Sequence, residues 1–404
     1  MSAKLIIYFT AAGHSLYQWG RGDLRLEAQF SADESGAGKF RDYLKGREGA
    51  LVHILADLAG EDFHEDQIPY LRGSERQIVI DRRLAQRYRD TRLAAALSLG
   101  YAGDERRNER LLLASFSNTQ QFAPWLDVLE NARARLAGVY STPLLAPALA
   151  ARLGLRGGSC FVVSVNRAGL RQCFIENGRL RFSRLERAAE AGGGATPAFV
   201  RTETERMLQY LGTLRALPRD GPAMRVILIV PEEQRARFEQ ALGRDARLTF
   251  TTIGTAEAQR KIGLRNTSPG STAESLYLHL VATHPPKEQF VRGDDRLGFL
   301  LWRLRRSIVA AGALAFAACA AYAATLWLEN LTVREHIAAL QLEAGQAREQ
   351  FQRISARFPA TPTTIDNLKA TALEFRHIAL RSATPEDALI HVSHALGQAP
   401  QIEL

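Results

Sequence analysis

The sequence predicts an α/β protein in three parts: a duplicated two-lobed globular domain, a single transmembrane helix, and a coiled coil that leads into a small tail. Three observations predict it. Residues 307–328 form an uncharged apolar run, SIVAAGALAFAACAAYAATLWL, and a helix rising ~1.5 Å per residue over that length spans the roughly 30 Å hydrocarbon core of a bilayer. Ahead of it, two successive stretches each open as a meander of strands and continue as helix–strand units. Beyond it, apolar residues recur in steps of four and three, the spacing of a coiled-coil seam. A cleaved signal peptide is excluded because the run lies deep in the chain.

A chain of 404 residues is too long for one ordinary domain, and the apolar run shows where to divide it. The expected parts are a globular domain over 1–285, with lobes of about 1–156 and 157–285, a linker over 286–306, the span over 307–328, the coil over 329–357 and a small domain over 358–404. The net charge of +9 would ordinarily raise nucleic acid as a partner. The basic residues are nearly all Arg and lie scattered among acids with no aromatic-interleaved stripe, so no nucleic-acid partner is expected. Cys160 and Cys173 precede the span and Cys319 lies in it, which leaves no disulfide framework for the part beyond.

In chain order, 4–9 (KLIIYF) reads as a buried strand and the turn Gly20-Arg21-Gly22-Asp23 closes a hairpin. Residues 51–58 read as another strand, followed by an acidic patch of Asp57, Glu61, Asp62, Glu65 and Asp66. That patch reads as a solvated loop in preference to a metal or general-base site. Residues 76–90 read as a basic helix and 110–116 as a strand, while Asn118 caps a helix over 121–136 that turns Phe122, Trp125, Leu126 and Leu129 inward. After Gly157-Gly158 the pattern restarts with strands at 160–165, 170–175 and 180–185, the last two joined by Asn177-Gly178, a strong hairpin signal. A glycine break at 192–194 precedes a helix over 197–217, a strand at 226–230, a helix at 232–242 and a strand at 248–252.

The segment CFVVSVNRAGLRQCFIENGRLRFSRLE, the glycine break, the long helix and then VILIVPEEQRARFEQAL resemble the second half of the actin-like proteins of type IV pilus assembly. They also resemble the cytoplasmic half of the L component of the type II secretion inner-membrane platform. The resemblance covers 1–285 as a pattern of elements and implies a duplicated actin/hexokinase-like fold in two lobes. A span, a coil and a small exported domain agree with the secretion component, or with the pilus protein fused to its membrane partner. The small domain would be ferredoxin-like in that family, and the tail here is short for one.

Nucleotide-binding members of such a fold need an Asp and glycines at the first turn of each half, so that backbone N–H groups approach phosphate and a carboxylate holds Mg²⁺. Here the first turn is Thr10-Ala11-Ala12-Gly13-His14-Ser15, with one glycine and no carboxylate. The second, where the family shows Asp-x-Gly, is Ser164-Val165-Asn166. The third, usually glycine-rich, is Val230-Pro231-Glu232-Glu233, where proline removes a donor and the glutamates repel phosphate. The expectation is a degenerate site at Gly13, Ser164, Asn166 and Pro231, with no catalytic residue and no cofactor. No P-loop, Ser-His-Asp signature or zinc spacing occurs, and His391 and His394 read as an ordinary helical pair without a third ligand.

The peptide 297–303, LGFLLWR, loosely resembles the segment by which the pilus membrane partner docks on its actin-like protein. Leu300, Leu301, Trp302 and Arg303 thus read either as an intramolecular dock or as an interfacial aromatic anchor. Arg303, Arg305 and Arg306 precede the span and no comparable cluster follows it, so the positive-inside rule keeps the globular part in the cytoplasm of a bacterial inner membrane and exports the tail to the periplasm. Within the span Ala311, Ala315, Cys319 and Ala323 form a small-residue stripe suited to helix pairing. Beyond it Val333, Ile337, Leu340, Ala344, Ala347, Phe351 and Ile354 form the seam, to be covered by a second copy, by a related platform protein or by the chain's own small domain. Prolines at 359 and 362 end the coil, two amphipathic helices follow, and 400–404 resembles the start of a strand. The expected function is a non-catalytic scaffold linking a cytoplasmic assembly ATPase to the periplasmic part of a pilus or type II secretion machine. A membrane-anchored ATPase or kinase, and a single-pass signalling receptor, are the alternatives.

Overall fold

The computed structural model describes residues 4–20, 22–89, 91, 93–101, 108–155, 157–187, 195–214, 217, 222–243, 247–265, 272–357, 364–382 and 384–398. The glycine break at 192–194, the proline breaks at 358–362 and the terminal strand at 400–404 lie outside them. The chain divides into two compact units, Met1–Val309 and Ala310–Leu404.

The first lobe of the first unit begins with β1 (Lys4–Thr10), β2 (Gly13–Gly20), β3 (Asp23–Phe30), α1 (Glu34–Leu44) and β4 (Leu51–Ala56). An insertion follows, made of β5 (Glu61–Ile68), α2 (Gly73–Arg87), β6 (Ala94–Tyr101) and β7 (Glu109–Phe116). The lobe then ends with α3 (Ala123–Asn131), β8 (Arg135–Ser141) and α4 (Thr142–Arg152). Its main sheet runs β3-β2-β1-β4-β8, and the insertion makes a separate sheet β5-β7-β6. The second lobe comprises β9 (Ser159–Asn166), β10 (Gly169–Glu176), β11 (Arg179–Glu186), α5 (Pro197–Thr213), β12 (Met224–Val230), α6 (Arg235–Ala241), β13 (Leu248–Gly254), α7 (Thr255–Ile262) and α8 (Glu274–Thr283). Its sheet runs β11-β10-β9-β12-β13. Each sheet therefore has three antiparallel strands followed by two parallel additions on the other side. This repeated order is the actin-like fold.

Local chemistry accounts for the elements. The central strands β1, β4 and β12 are nearly continuous apolar runs, as strands covered on both faces must be. Asp33 caps α1 by accepting from Gly36 N at 2.9 Å, and Thr196 caps α5 through Phe199 N. Asn177 and Gly178 both take positive φ, 50° and 74°, and turn β10 into β11. The helix expected over 121–136 stops at Asn131. Arg133 has φ 51°, and the following residues form edge strand β8 because Leu136 and Val139 enter one core while Tyr140 enters another.

The core shared by the lobes is built largely on α4 and α8, which lie together with inward residues of both main sheets. Every residue of α8 from Glu274 to Ala282 is buried. The chain does not leave the first lobe at residue 285. Phe290 and Val291 are buried in its core, Phe290 N donates to Val139 O at 2.9 Å and Ala94 N to Phe290 O at 3.0 Å, and Arg296 Nε donates to Ala137 O at 2.9 Å. Most of the expected linker over 286–306 is thus packed along β8 or helical.

Helix α9 (Leu297–Ser355) is continuous over 59 residues and contains the apolar run. Among the described residues it is the one helix long and apolar enough to cross a membrane. The second unit continues with α10 (Ile365–Arg381) and α11 (Pro385–Gly397). No residue of that unit whose exposure is described is buried, and its apolar seam residues stand open.

Candidate functional site

The two turns that would hold phosphate, 10–13 between β1 and β2 and 166–169 between β9 and β10, meet between the lobes. Arg167 in the second turn donates from Nη1 to Ser15 Oγ at 3.1 Å, just past the first. Gly13 has φ 153°, and a Cβ there would lie 2.9 Å from the Phe30 carbonyl oxygen on β3. Sheet packing alone therefore requires this glycine.

Beside the turns lies a buried charge cluster. Asp57, the residue after β4, is fixed by its own N–H donating to Phe9 O at 2.9 Å. Its Oδ2 accepts from Tyr8 OH at 2.8 Å and from Asn166 Nδ2 at 2.7 Å. Its Oδ1 accepts from Arg171 Nε at 2.8 Å and lies 2.7 Å from Nη2. Arg171 Nη1 donates to Glu61 Oε2 at 2.7 Å, and Nη2 donates to Leu58 O at 2.9 Å. The side chains of Asp57, Glu61 and Arg171 are 0%, 2% and 1% exposed. One carboxylate from the first lobe thus binds two side chains from the second. Nearby, Ser164 Oγ and Tyr277 OH are 3.2 Å apart, and Arg167 pairs with the α8 carboxylate Glu274 at 3.7 Å.

Electrostatics hold Arg171 charged. Burial opposes the Arg171 charge, but Glu61 and Asp57 outweigh it and its pKa is raised. Burial pushes Glu61 upward against the pull of the same guanidinium. Tyr8 is pushed well up, first by burial and then by Asp57, so it stays a donor. A pair so deeply desolvated gains little over an apolar core, but losing one partner strands the others.

The acidic patch is therefore no solvated loop. Asp57 and Glu61 belong to the buried cluster, and residues 61–68 form β5, which pairs with β7. The remaining carboxylates are matched by arginines: Arg87 with Asp62 at 3.5 Å, Arg83 with Asp66 at 3.7 Å, and Arg110 and Arg181 with Glu65 at 3.1 and 2.6 Å. Two of these arginines come from the basic helix α2, so the acidic and basic runs neutralise one another. At the third turn, Pro231 precedes a short 3-10 turn and Glu232 Oε2 accepts from Ala256 N at 3.2 Å in the first turn of α7. A cavity of about 370 Å³ remains beside the cluster, lined by Gly60, Glu61, Arg171, Phe182, Ser183 and Tyr210 among others. Among the described residues no three His, Cys, Asp or Glu side chains converge on a metal position.

Of the residues singled out in sequence, Ser164 and Asn166 reach the interlobe site, Gly13 shapes its edge and Pro231 lies at the end of β12. The guanidinium groups of Arg135 on β8 and of Arg306 lie over the Trp302 ring at 5.4 and 5.5 Å, and Arg303 lies over Phe299 at 5.9 Å. Leu300 and Leu301 are exposed. Ala311, Ala315, Cys319 and Ala323, with the seam Val333, Ile337, Leu340, Ala344, Ala347, Phe351 and Ile354, all lie on α9 and are exposed. Sequence reasoning missed Arg171, Tyr8 and the true place of Asp57. The available signal was an arginine in the middle of the otherwise buried strand LRQCFI.

The fold and the paired turns define a protein of the actin-like class. No protein-family model matches the sequence, and no curated protein matches it. Similar solved structures include a PilM–PilN type IV pilus biogenesis complex, at 13% identity over 70% of this chain and 98% of that one, with a TM-score of 0.45. They also include the cytoplasmic domain of EpsL, an inner-membrane component of the type II secretion system of Vibrio cholerae, at 12% identity over 70% and 96% with a TM-score of 0.34. A Bacteroides thetaiotaomicron protein of actin-like ATPase fold and unknown function matches at 12% identity over 66% and 96%, with a TM-score of 0.36. At such identities the likeness is one of fold.

Proposed function

We propose that this chain is a non-catalytic, single-pass inner-membrane scaffold of a type IV pilus or type II secretion platform, with its actin-like domain in the cytoplasm and its C-terminal helices in the periplasm. The observation that carries the reading is the Arg171 cluster. A guanidinium and two carboxylates lie in the interlobe space next to both phosphate turns, and among the described residues no unpaired carboxylate stands at either turn to hold Mg²⁺. The sequence resemblance over 160–186 and 226–242 supports the assignment to pilus or secretion machinery. The arginines ahead of the apolar run support the orientation.

In this scaffold the domain meets a cytoplasmic assembly ATPase, and α9 pairs beyond the membrane with its own copy or with a related platform protein. Pairing is supported by the exposure of Leu340, Phe351 and Ile354, at 61%, 71% and 58%, since an apolar seam left in water is unfavourable. Thermal melting with and without Mg·ATP tests the catalytic question: no Mg-dependent shift is expected. A Mg-dependent rise in Tm that disappears in Asn166→Ala would overturn the scaffold in favour of an ATPase. Protease protection in spheroplasts tests the topology, with residues 1–285 protected and 329–404 cleaved as the expected outcome. Crosslinking of full-length protein, lost in Leu340→Asp, tests the seam.

A further inference from the structure

The geometry points to an anion-binding pocket between the insertion sheet and the β10–β11 hairpin, which we propose receives an acidic segment of a partner polypeptide. The pocket holds about 300 Å³ and is lined by Tyr101, Arg110, Glu176, Asn177, Arg179 and Arg181 together with Leu99. Three guanidinium groups and the carboxylate of Glu176 stand in its wall, and a second carboxylate comes from β5.

Glu65 reaches in from β5 and satisfies Arg110 at 3.1 Å and Arg181 at 2.6 Å. Among the described residues Arg179 forms no salt bridge, although its charge is felt at Glu109. Arg181 is 13% exposed, and its Nε is buried with no hydrogen-bond acceptor, which is costly for a charged donor unless a ligand supplies one. Glu176 lies 3.6 Å from that nitrogen, beyond hydrogen-bonding reach.

The fold makes room for this arrangement. Gly100 has φ 91° at a bulge in β6, and a side chain there would collide with the Arg179 guanidinium. At the rim Tyr101 is 60% exposed and packs edge-on against Tyr70 at 5.4 Å, while Arg72 Nε donates to the Tyr70 hydroxyl at 2.5 Å. Arginine forks suit carboxylates, and exposed tyrosine beside arginine is the composition of a protein-binding hot spot. The volume lies at the small end of ligand pockets and fits one or two acidic side chains. The inference is independent of whether the interlobe cluster excludes nucleotide.

The test uses full-length protein in nanodiscs and fluorescein-labelled hexaglutamate, read by anisotropy at low ionic strength, with labelled hexaglutamine and unlabelled inorganic phosphate alongside. Hexaglutamate is expected to bind and hexaglutamine not. Arg179→Gln weakens binding about tenfold without moving the melting temperature, and Arg179→Lys recovers part of the loss. Arg82→Gln, an equal charge removal on exposed α2, leaves binding unchanged. Equal weakening by Arg82→Gln, equal affinity in Arg179→Gln, or no binding of hexaglutamate would each overturn the proposal. Displacement of bound hexaglutamate by an equal concentration of inorganic phosphate would assign the pocket to a free oxyanion and overturn the polypeptide partner.

Discussion

The two lobes share one strand order but are finished differently. In the first lobe, β8 at the parallel edge of the main sheet is accompanied by the chain's own residues 289–296, and a three-stranded insertion separates β4 from α3. In the second, the corresponding strand β13 borders an open groove of about 660 Å³ and, among the described residues, no sheet interrupts the repeat. The first lobe also carries the aromatic core, in which Phe9, His14, Phe40 and Trp125 stack or meet edge-on, whereas the second is packed with aliphatic residues and phenylalanines. Duplication fixes the backbone order, and the side chains then make one half the anchor for the emerging helix and the other the source of the arginine that joins them.

The largest test of this asymmetry removes that arginine. Arg171→Met deletes the cation but keeps the bulk, leaving Asp57 and Glu61 buried without their counter-charge. A loss of about 3–5 kcal/mol in urea unfolding of the 1–309 unit within the intact chain is expected. A loss under 1 kcal/mol would mean that water reaches the cluster and that the lobes are not held by it.

Next comes acid. Burial lowers His14 and His53, both in the first lobe, to about 4, against an ordinary value near 6.5. A histidine with a lowered folded pKa binds fewer protons folded than unfolded, so stability falls as pH drops from about 6.5 towards 4, by about 3 kcal/mol for each. Hydrogen exchange across that range should show β1, β2 and β4 losing protection before β9 and β12. Simultaneous loss in both lobes would erase the distinction.

The hairpin glycines allow a matched pair. Gly13→Ala and Gly169→Ala each place a Cβ against a carbonyl of the neighbouring strand, those of Phe30 and Glu186, at positive φ. Each is expected to cost about 1–3 kcal/mol in chemical denaturation. If Gly13→Ala were neutral in stability, the sheet-packing explanation of that glycine would fail. The smallest effect belongs to the α2–β5 layer: Arg83→Ala breaks a half-exposed pair with Asp66 and should change stability by less than about 0.5 kcal/mol.

Elements with a clean local signature were legible in the sequence: the strand at 4–9, the Asn177-Gly178 hairpin, the helix beginning at Pro197 and the apolar run inside α9. Helices α4 and α8 were not, because they are apolar on nearly every side and so lack the 3.6-residue contrast that marks a half-buried helix. β8 was absorbed into the preceding helix because its residues divide between two cores, which no linear pattern displays. At the site, sequence pointed to Gly13, Ser164 and Asn166, which lie at or beside the interlobe site. It did not reveal Arg171, because the worth of a mid-strand arginine depends on Asp57 and Glu61, more than a hundred residues earlier in the chain.

The four donor contacts that converge on the Asp57 carboxylate also bear on motion. Hinge movement between the halves would have to uncover two anions and a cation at once, so partial opening is disfavoured relative to staying shut. Structures of this protein captured with different partners should therefore superpose across both five-stranded sheets as a single block, with variation confined to what is attached to that block.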